Sequence, residues 1–524
     1  MVLKLKKLFP KSTLVYATGY LVALSVLSRI LGLIRDRLLT SVFDTAILDA
    51  YFSAFRIPDF LYNILILGTL SSAFIPLFSK LINRKDKQEE AQHLIDDVLL
   101  IVGLVMGLLS LLMIVFAPYL VKIVAISYEG QKLTDTIMLT RIMAISPFIF
   151  SISSVLSSIL NSYKKFIIVA IGPLLYNLGI IIGIIWLYPL YGVAGLGYGV
   201  VIGALLHMLI QIPSVLRLHV QLRLRLNHIN TKNLQRLWKL YWPRLFVIDT
   251  AMISLFIGTI IASTQANAVT YFTLAFNLNA LPLGIIALSF ATAIFPYLTE
   301  AYAQENEVAF RNYVIGAISK NLLLLIPVMM LMLNFRSQLV RIVYGGGVFD
   351  WESTRITFQT FTILALSIPF QGLIPLFSRA LFARHDTKTP MTIGIVSMIF
   401  NIVSAMILSH YWGVLGVAAS FTITIILTCL LYGVIIFKTI NHGSIIRTIR
   451  YGLQISLWSL GMVIISYGLK NLIGNILGTD RLIDLILQVV GASIPALLVY
   501  GYVTWKFGLT RVLFRDTNKK ESLT

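Results

Sequence analysis

The chain has 524 residues, 58% hydrophobic and only 12% charged, with 42 Lys and Arg against 22 Asp and Glu for a formal net charge of +20. A soluble domain needs far more polar surface, so this composition excludes a water-soluble enzyme. The basic residues lie mostly in short segments between apolar runs, a pattern that orients a protein in a membrane and argues against nucleic-acid binding.

A membrane-crossing helix takes about 20 mostly apolar residues, because its backbone polar groups must be satisfied internally. Such runs fall near 13–34, 47–80, 93–123, 133–160, 166–189 and 192–216. A second set falls near 241–264, 269–299, 311–343, 354–383, 388–409 and 412–437, and two more near 446–472 and 483–506. The expected fold is all-α and polytopic, with about 14 transmembrane helices. Four segments follow: a six-helix lobe over 1–216, a basic amphipathic cytoplasmic linker over 217–240, a second six-helix lobe over 241–440, and two extra helices with a basic cytoplasmic tail over 441–524. The linker carries Arg217, Arg223, Arg225, Lys232, Arg236 and Lys239, which suits an anionic leaflet. The same side takes Arg84, Lys85, Lys164, Lys165, Arg384, Lys388, Arg447 and Arg450, so both termini are expected to be cytoplasmic.

The two lobes are related in sequence. The segment beginning AYFSAFRIPDF at Ala50 matches TYFTLAFNLNA at Thr270, and Pro76, Pro147 and Gly192 pair with Pro296, Pro369 and Gly413 at nearly one offset. Six helices per copy give both copies the same orientation, so they form a parallel repeat. Two such lobes with a cleft between them are a transporter arrangement. Gly179, Gly183, Gly195, Gly199 and Gly203 are spaced for close helix packing.

Charge inside a span is costly, and it marks function unless it is satisfied at an interface. The first two helices carry Arg29, Arg35, Asp36, Arg37, Asp49, Arg56 and Asp59. Arg29 and Arg35 are six residues apart and do not share one helix face. Arginine forks bond two oxygens at once, so arginines converging on a cleft suit a pyrophosphate head group and suit a cationic drug poorly. Pro58 and Pro282 remove backbone hydrogen bonds within apolar runs and are candidate hinges. Asp249 is placed to bind a coupling cation or to pair with Arg244. Asn177, Asn277, Asn279, Gln371 and Asn401 are amides for interhelical bonding. Dinucleotide, P-loop and zinc-hydrolase motifs are absent, the seven histidines are scattered, and Gly345–Gly347 reads as a turn. The single cysteine, Cys429, reads as a packing residue. No metal or enzyme chemistry is expected.

At SRILGLIRD, LDAYFSAFRIPDF and LSSAFIPLFS the chain resembles the MurJ (MviN) family of the multidrug/oligosaccharidyl-lipid/polysaccharide exporter superfamily. RALFARHDTKTPM from Arg379 to Met391, LNSYKKFIIVAIGPLLYN and YGGGVFDWEST extend the resemblance over most of 13–437. It implies a fourteen-helix inner-membrane flippase that moves undecaprenyl-pyrophosphate-linked peptidoglycan precursor (lipid II) to the outer leaflet for cell-wall biosynthesis. Family cavity residues carry over to Arg29, Arg35, Asp36 and Asp49, with Arg56 retained. The last two helices, 446–506, would form a groove for the lipid tail. The chain departs from the family pattern at Tyr62 and Asn63, where a basic pair is usual, at Leu67 in place of an acid, and at Asn277 in place of an arginine. A family cation site maps onto Asp249 and Asp386, with Phe382 in place of an amide ligand.

The expected mechanism is alternating access, with Arg29, Arg35 and Arg56 holding the pyrophosphate and Asn277 facing the same cavity. No cofactor is expected beyond a coupling monovalent cation or the membrane potential. The expected partners are the glycolipid, membrane lipids and cell-wall synthesis proteins. Three other readings stay open at this point: export of another lipid-linked glycan or a drug, a non-transporting scaffold for cell-wall enzymes, and an integral-membrane glycosyltransferase.

Overall fold

The computed structural model describes residues 10–65, 69–222, 235, 250–438 and 442–510. Among these, helices account for almost everything, and the one strand-like feature is an isolated bridge between Gly346 and Phe349. The chain divides into two compact units, Met1–Phe246 and Val247–Thr524.

In the first unit the described helices are Pro10–Val42, Thr45–Leu65, Thr69–Ile82, Gln88–Val124, Gly130–Met143, Ile145–Ser162, Phe166–Ile182, Tyr188–Tyr191, Ala194–Leu209 and Ile212–Leu216. A π-helical turn, Gly183–Leu187, joins Phe166–Ile182 to Tyr188–Tyr191. Gln88–Val124 shows why these runs are helices in lipid. It exposes Leu104, Leu108, Leu111, Val115 and Tyr119 along one face, while Leu94, Val98, Met106 and Met113 are buried. The core gathers Phe74, Phe78, Leu94, Val98, Leu156 and Leu160.

The second unit begins its described part with Thr250–Ala262 and continues through Ala268–Pro282, the π-helical turn Leu283–Ala287, Leu288–Ala303 and Glu307–Asn334. Arg336–Val343, Trp351–Ala365, Ile368–Ala383, Lys388–Trp412 and Val414–Lys438 follow, then the long hairpin His442–Leu477 and Leu482–Lys506. The hairpin packs on Glu307–Asn334 through Leu323, Ile326, Ile455, Met462, Ala492 and Ala496. Cys429 is buried in a core with Phe377 and Tyr432, a packing role as expected.

Ten described helical segments are long and apolar enough to span a membrane, or eleven if the pair Trp351–Ala365 and Ile368–Ala383, bent by 44°, is one span. Among the described residues, length and composition alone thus account for ten or eleven of the expected spans of about 14. The remainder are Pro10–Val42, Thr45–Leu65 with Thr69–Ile82, and Thr250–Ala262, which are charged, interrupted or short. The linker beyond Leu222, apart from Gln235, lies outside the described residues.

Matching backbone features recur in the two units. Gly192 and Gly413 both terminate helices at φ 59, with ψ −145 and −138, a region that only glycine enters freely. Lys164 and His385 both take φ 60. Around them Lys165 N donates to Leu160 O, and Asp386 N donates to Leu381 O. The chain also breaks just before Pro147 and just before Pro369, between Gly130–Met143 and Ile145–Ser162 and between Trp351–Ala365 and Ile368–Ala383.

The glycine stripe works by contact. A Cβ on Gly179 would lie 2.2 Å from Gly203 Cα, and one on Gly183 would lie 2.6 Å from Gly199 Cα. Such approach gives two apolar helices close packing where hydrophobic exclusion does not drive association. In the second unit polar side chains join helices instead: Asn401 donates to Ser420 and Thr424 at 3.1 and 3.2 Å, and Thr428 donates to Ser397 at 2.7 Å.

Candidate functional site: a charged group in the first unit

Arg35 and Asp36 sit near the C-terminal end of Pro10–Val42. The Arg35 guanidinium donates to Asp36 Oδ1 from Nε at 2.9 Å and from Nη2 at 2.6 Å, and from Nη1 to Asn177 Oδ1 at 2.9 Å. Asn177 donates in turn to Ser28 O and to Pro173 O. It thereby ties Phe166–Ile182 to the first helix, as expected of an interhelical amide. The Asp36 side chain is almost fully buried, while the Arg35 side chain keeps 22% exposure. The arrangement is a preset cation whose fork is held in place by two partners. Arg29 lies half-buried on the same helix, about 9 Å away along the axis.

Asp49 is a cavity residue by the family resemblance, and its carboxylate is 0% exposed and paired with Lys132 Nζ at 2.6 Å. Lys132 lies 4.0 Å over the Tyr128 ring, and the Tyr128 hydroxyl bonds Ser53 at 3.0 Å and donates to Asp49 O at 3.4 Å. This network clamps Thr45–Leu65 to Gly130–Met143. Lys132 and Tyr128 escaped the sequence reading because they lie in the connection YEGQKLTD rather than in an apolar run. A lone lysine on the side expected to be poor in basic residues is the signal that would have found them.

Arg56 is buried, two turns beyond Asp49 and about one beyond Ser53 on Thr45–Leu65. Asp59, on the next turn, is exposed and within electrostatic range of both Arg56 and Arg35. Tyr51 and Tyr176 also fall within range of Arg35. Arg35, Asp36, Arg56 and Asp59 thus belong to one open-sided charged group. Asp59 joined the candidate charges in the sequence without being assigned a site role. Pro58 is buried inside the continuous helix Thr45–Leu65.

In the second unit the counterpart segment lacks this charge. Phe276 and Asn277 stand in Ala268–Pro282, and Asn277 is half-buried. Asn279, expected to bond between helices, is fully buried, and both its Nδ2 and Oδ1 lack a partner. Gln371 bonds Ser367 on its own helix at 2.6 Å rather than bridging helices. Pro282 leads directly into the π-helical turn Leu283–Ala287, as a residue that removes one helix donor allows. Asp386 caps the Lys388–Trp412 helix, accepting from Thr389 N at 3.0 Å. Burial raises its pKa, but the bonds from Thr389 and Lys388 outweigh that and hold it below the ordinary carboxylate value. Asp249, Arg244 and Leu67 lie outside the described residues, so the suggested partner of Asp386 is not placed. No cluster of three or more His, Cys, Asp or Glu able to hold a metal occurs among the described residues.

The family described as lipid II flippase MurJ matches residues 39–479. The chain is 27% identical over 414 residues to the probable lipid II flippase MurJ of Borreliella burgdorferi, covering 78% of this chain and 81% of that protein. It is 25% identical over 399 residues to the lipid II flippase MurJ of Burkholderia cenocepacia, covering 74% and 77%. Among solved structures it resembles lipid II flippase MurJ in an inward closed conformation, with a TM-score of 0.77, 26% identity, and coverage of 94% of this chain and 99% of that one. A multidrug resistance MATE transporter of the MOP superfamily shares the fold at a TM-score of 0.66 and 17% identity, covering 82% of this chain and 95% of that one.

Proposed function

Because the chain belongs to the lipid II flippase MurJ family, we propose that it carries lipid II, a peptidoglycan precursor linked to undecaprenyl pyrophosphate, from the inner to the outer leaflet of the cytoplasmic membrane. The observation that supports this most is the charged group in the first unit. Arg35 is held by Asp36 and Asn177 at 2.6–2.9 Å and stays partly accessible, and Arg56 and Asp59 lie within electrostatic range. A fixed guanidinium fork binds phosphate oxygens without paying side-chain entropy on binding. A scaffold has no use for such charge inside a membrane unit.

In this reading the pyrophosphate meets Arg35 and Arg56, with Arg29 toward the inner end of the same helix, while Asp36 positions Arg35. The prenyl tail stays in lipid along the hairpin 446–506. Alternating access opens the head-group crevice first to one side and then to the other, with Pro58 and Pro282 as bending points. Fourteen spans with both termini cytoplasmic complete the topology. A monovalent cation held through Asp249 and Asp386, or the membrane potential, resets the cycle. The work is transport, with no catalysed bond change, and cell-wall synthesis proteins are the natural partners.

The test is transport of fluorescent lipid II by the purified chain in proteoliposomes. Arg56→Ala and Arg35→Ala should each lower the rate by at least about tenfold while the proteins remain folded, since each removes a charge-assisted bond worth about 1.5–3 kcal/mol. Undiminished transport in both variants would exclude these residues from head-group binding.

A further inference from the structure

The charged group borders a second set of side chains that pyrophosphate binding leaves unused. Phe150, on Ile145–Ser162, is the hub of a ring cluster from four helices. Its centroid lies 5.4 Å from Tyr62, 5.0 Å from Tyr176 and 5.3 Å from His207. The Tyr176 and His207 rings stand edge-on to it, at interplanar angles of 75° and 73°. All four residues are half-buried, unlike the sealed stack of Phe74 on Phe78 nearby in the same unit. Tyr176 is within electrostatic range of Arg35 and Asp59, and Tyr62 of Asp59. The rings therefore adjoin the charged group through Arg35 and Asp59.

His207 is oriented from behind. Its Nδ1 bonds Ser153 Oγ at 2.8 Å. Gln211 Nε2 donates to the same Ser153 Oγ at 2.8 Å and to His207 O at 3.0 Å. Ser157 Oγ closes the chain onto Gln211 Oε1 at 2.8 Å. This leaves Nε2 as the remaining polar edge of the imidazole. Gly172 makes room for it, since a Cβ there would lie 2.6 Å from Nε2.

A pyranose ring carries weakly positive C–H groups on its faces and hydroxyls around its rim. It is recognised by aromatic faces, whose π clouds are negative, together with a few fixed polar groups at the edge. Phe150 and the two tyrosines supply the faces. His207 Nε2 and the tyrosine hydroxyls supply the edge. We propose that Tyr62, Phe150, Tyr176 and His207 form a subsite for a sugar ring of the lipid-linked head group, next to the cations that hold its pyrophosphate. This rests on the lipid-linked substrate reading above and adds the sugar as a recognised part.

The full chain in lipid nanodiscs would be titrated with undecaprenyl pyrophosphate and with undecaprenyl pyrophosphate bearing one N-acetylglucosamine, and bound lipid counted by native mass spectrometry. The sugar-bearing lipid should bind about tenfold tighter, the sum of two or three ring contacts. Phe150→Leu and, independently, Tyr62→Leu should shrink that gap to about threefold or less with the affinity for the sugar-free lipid unchanged. If Phe150→Leu fails to fold, the half-exposed Tyr62 still decides the matter. Equal binding of both lipids by the unmodified chain would overturn the sugar subsite and leave the pyrophosphate reading standing. So would Leu variants that weaken both lipids alike. If neither lipid binds the unmodified chain, the pyrophosphate reading itself fails, and the subsite falls with it.

Discussion

Asp49→Asn removes the charge from a carboxylate with no exposure and leaves Lys132 facing a neutral amide at what was a 2.6 Å ion pair. Taking one partner from a buried pair costs about 3–5 kcal/mol. Lys132 keeps 22% side-chain exposure and its place over Tyr128, so water and the ring relieve part of that penalty, and the expected loss is about 2–3 kcal/mol. Lys132→Met should cost a similar amount, because it strands the fully buried Asp49. The double variant should recover most of the loss, since a neutral pair carries no buried charge. The assay is thermal unfolding of purified protein in one detergent, read as the fraction that remains monodisperse. Each single variant should fall by about 4–8 °C, and the double variant should lie within about 3 °C of the unmodified chain. A double variant as unstable as the two singles added together would refute the pairing, as would an Asp49→Asn protein of unchanged stability. Either result would remove the clamp between Thr45–Leu65 and Gly130–Met143.

Arg35→Lys should transport at least about tenfold more slowly than the unmodified chain in proteoliposomes, because one ammonium cannot hold Asp36 and Asn177 and still present a fork. Equal rates would show that only the charge matters. Gly183→Ala should destabilise by about 1–3 kcal/mol, because its Cβ would sit 2.6 Å from backbone, whereas Gly461→Ala, with nothing within 4 Å, should leave the melting midpoint unchanged or higher. Asp350 caps the Trp351–Ala365 helix by accepting from Ser353 N at 2.8 Å, and the Ser353 bonds hold its carboxylate below the ordinary value of 3.8. A depressed folded pKa adds stability above the unfolded value and loses it as pH falls through the folded one. Asp350→Ala should therefore lower the midpoint at pH 7 and matter less below about pH 4; a difference independent of pH would contradict this.

Spans were legible because long apolar runs in lipid have no alternative to helix, and the repeat was legible because Pro76, Pro147 and Gly192 recur as Pro296, Pro369 and Gly413 at nearly one offset, the two glycines sharing a positive φ that other residues rarely adopt. The Arg35–Asp36 pair is local, between adjacent residues. The long-range partners were not. Asn177 is 142 residues from Arg35, and nothing in an amide's local sequence says whether it bonds another helix, its own helix as Gln371 does, or nothing as with Asn279. Asp49 has the composition of a cavity acid, and only the position of Lys132 shows the clamp. Asp386 carries the short-range signature of a helix cap, which competes directly with a cation-ligand role for the same oxygens. The ring cluster around Phe150 drew no notice because aromatics in apolar runs are usually core, and its half-open character exists only in the fold.

Transport of lipid II is tested most directly in the living host. The protein would be depleted, and lipid II on the outer leaflet measured with an externally added enzyme that cleaves it. Flippase activity requires the cleavage product to fall while total lipid II rises, with complementation by the unmodified chain but not by Arg56→Ala. An unchanged amount of cleavage product, in a strain with no second flippase, would contradict it.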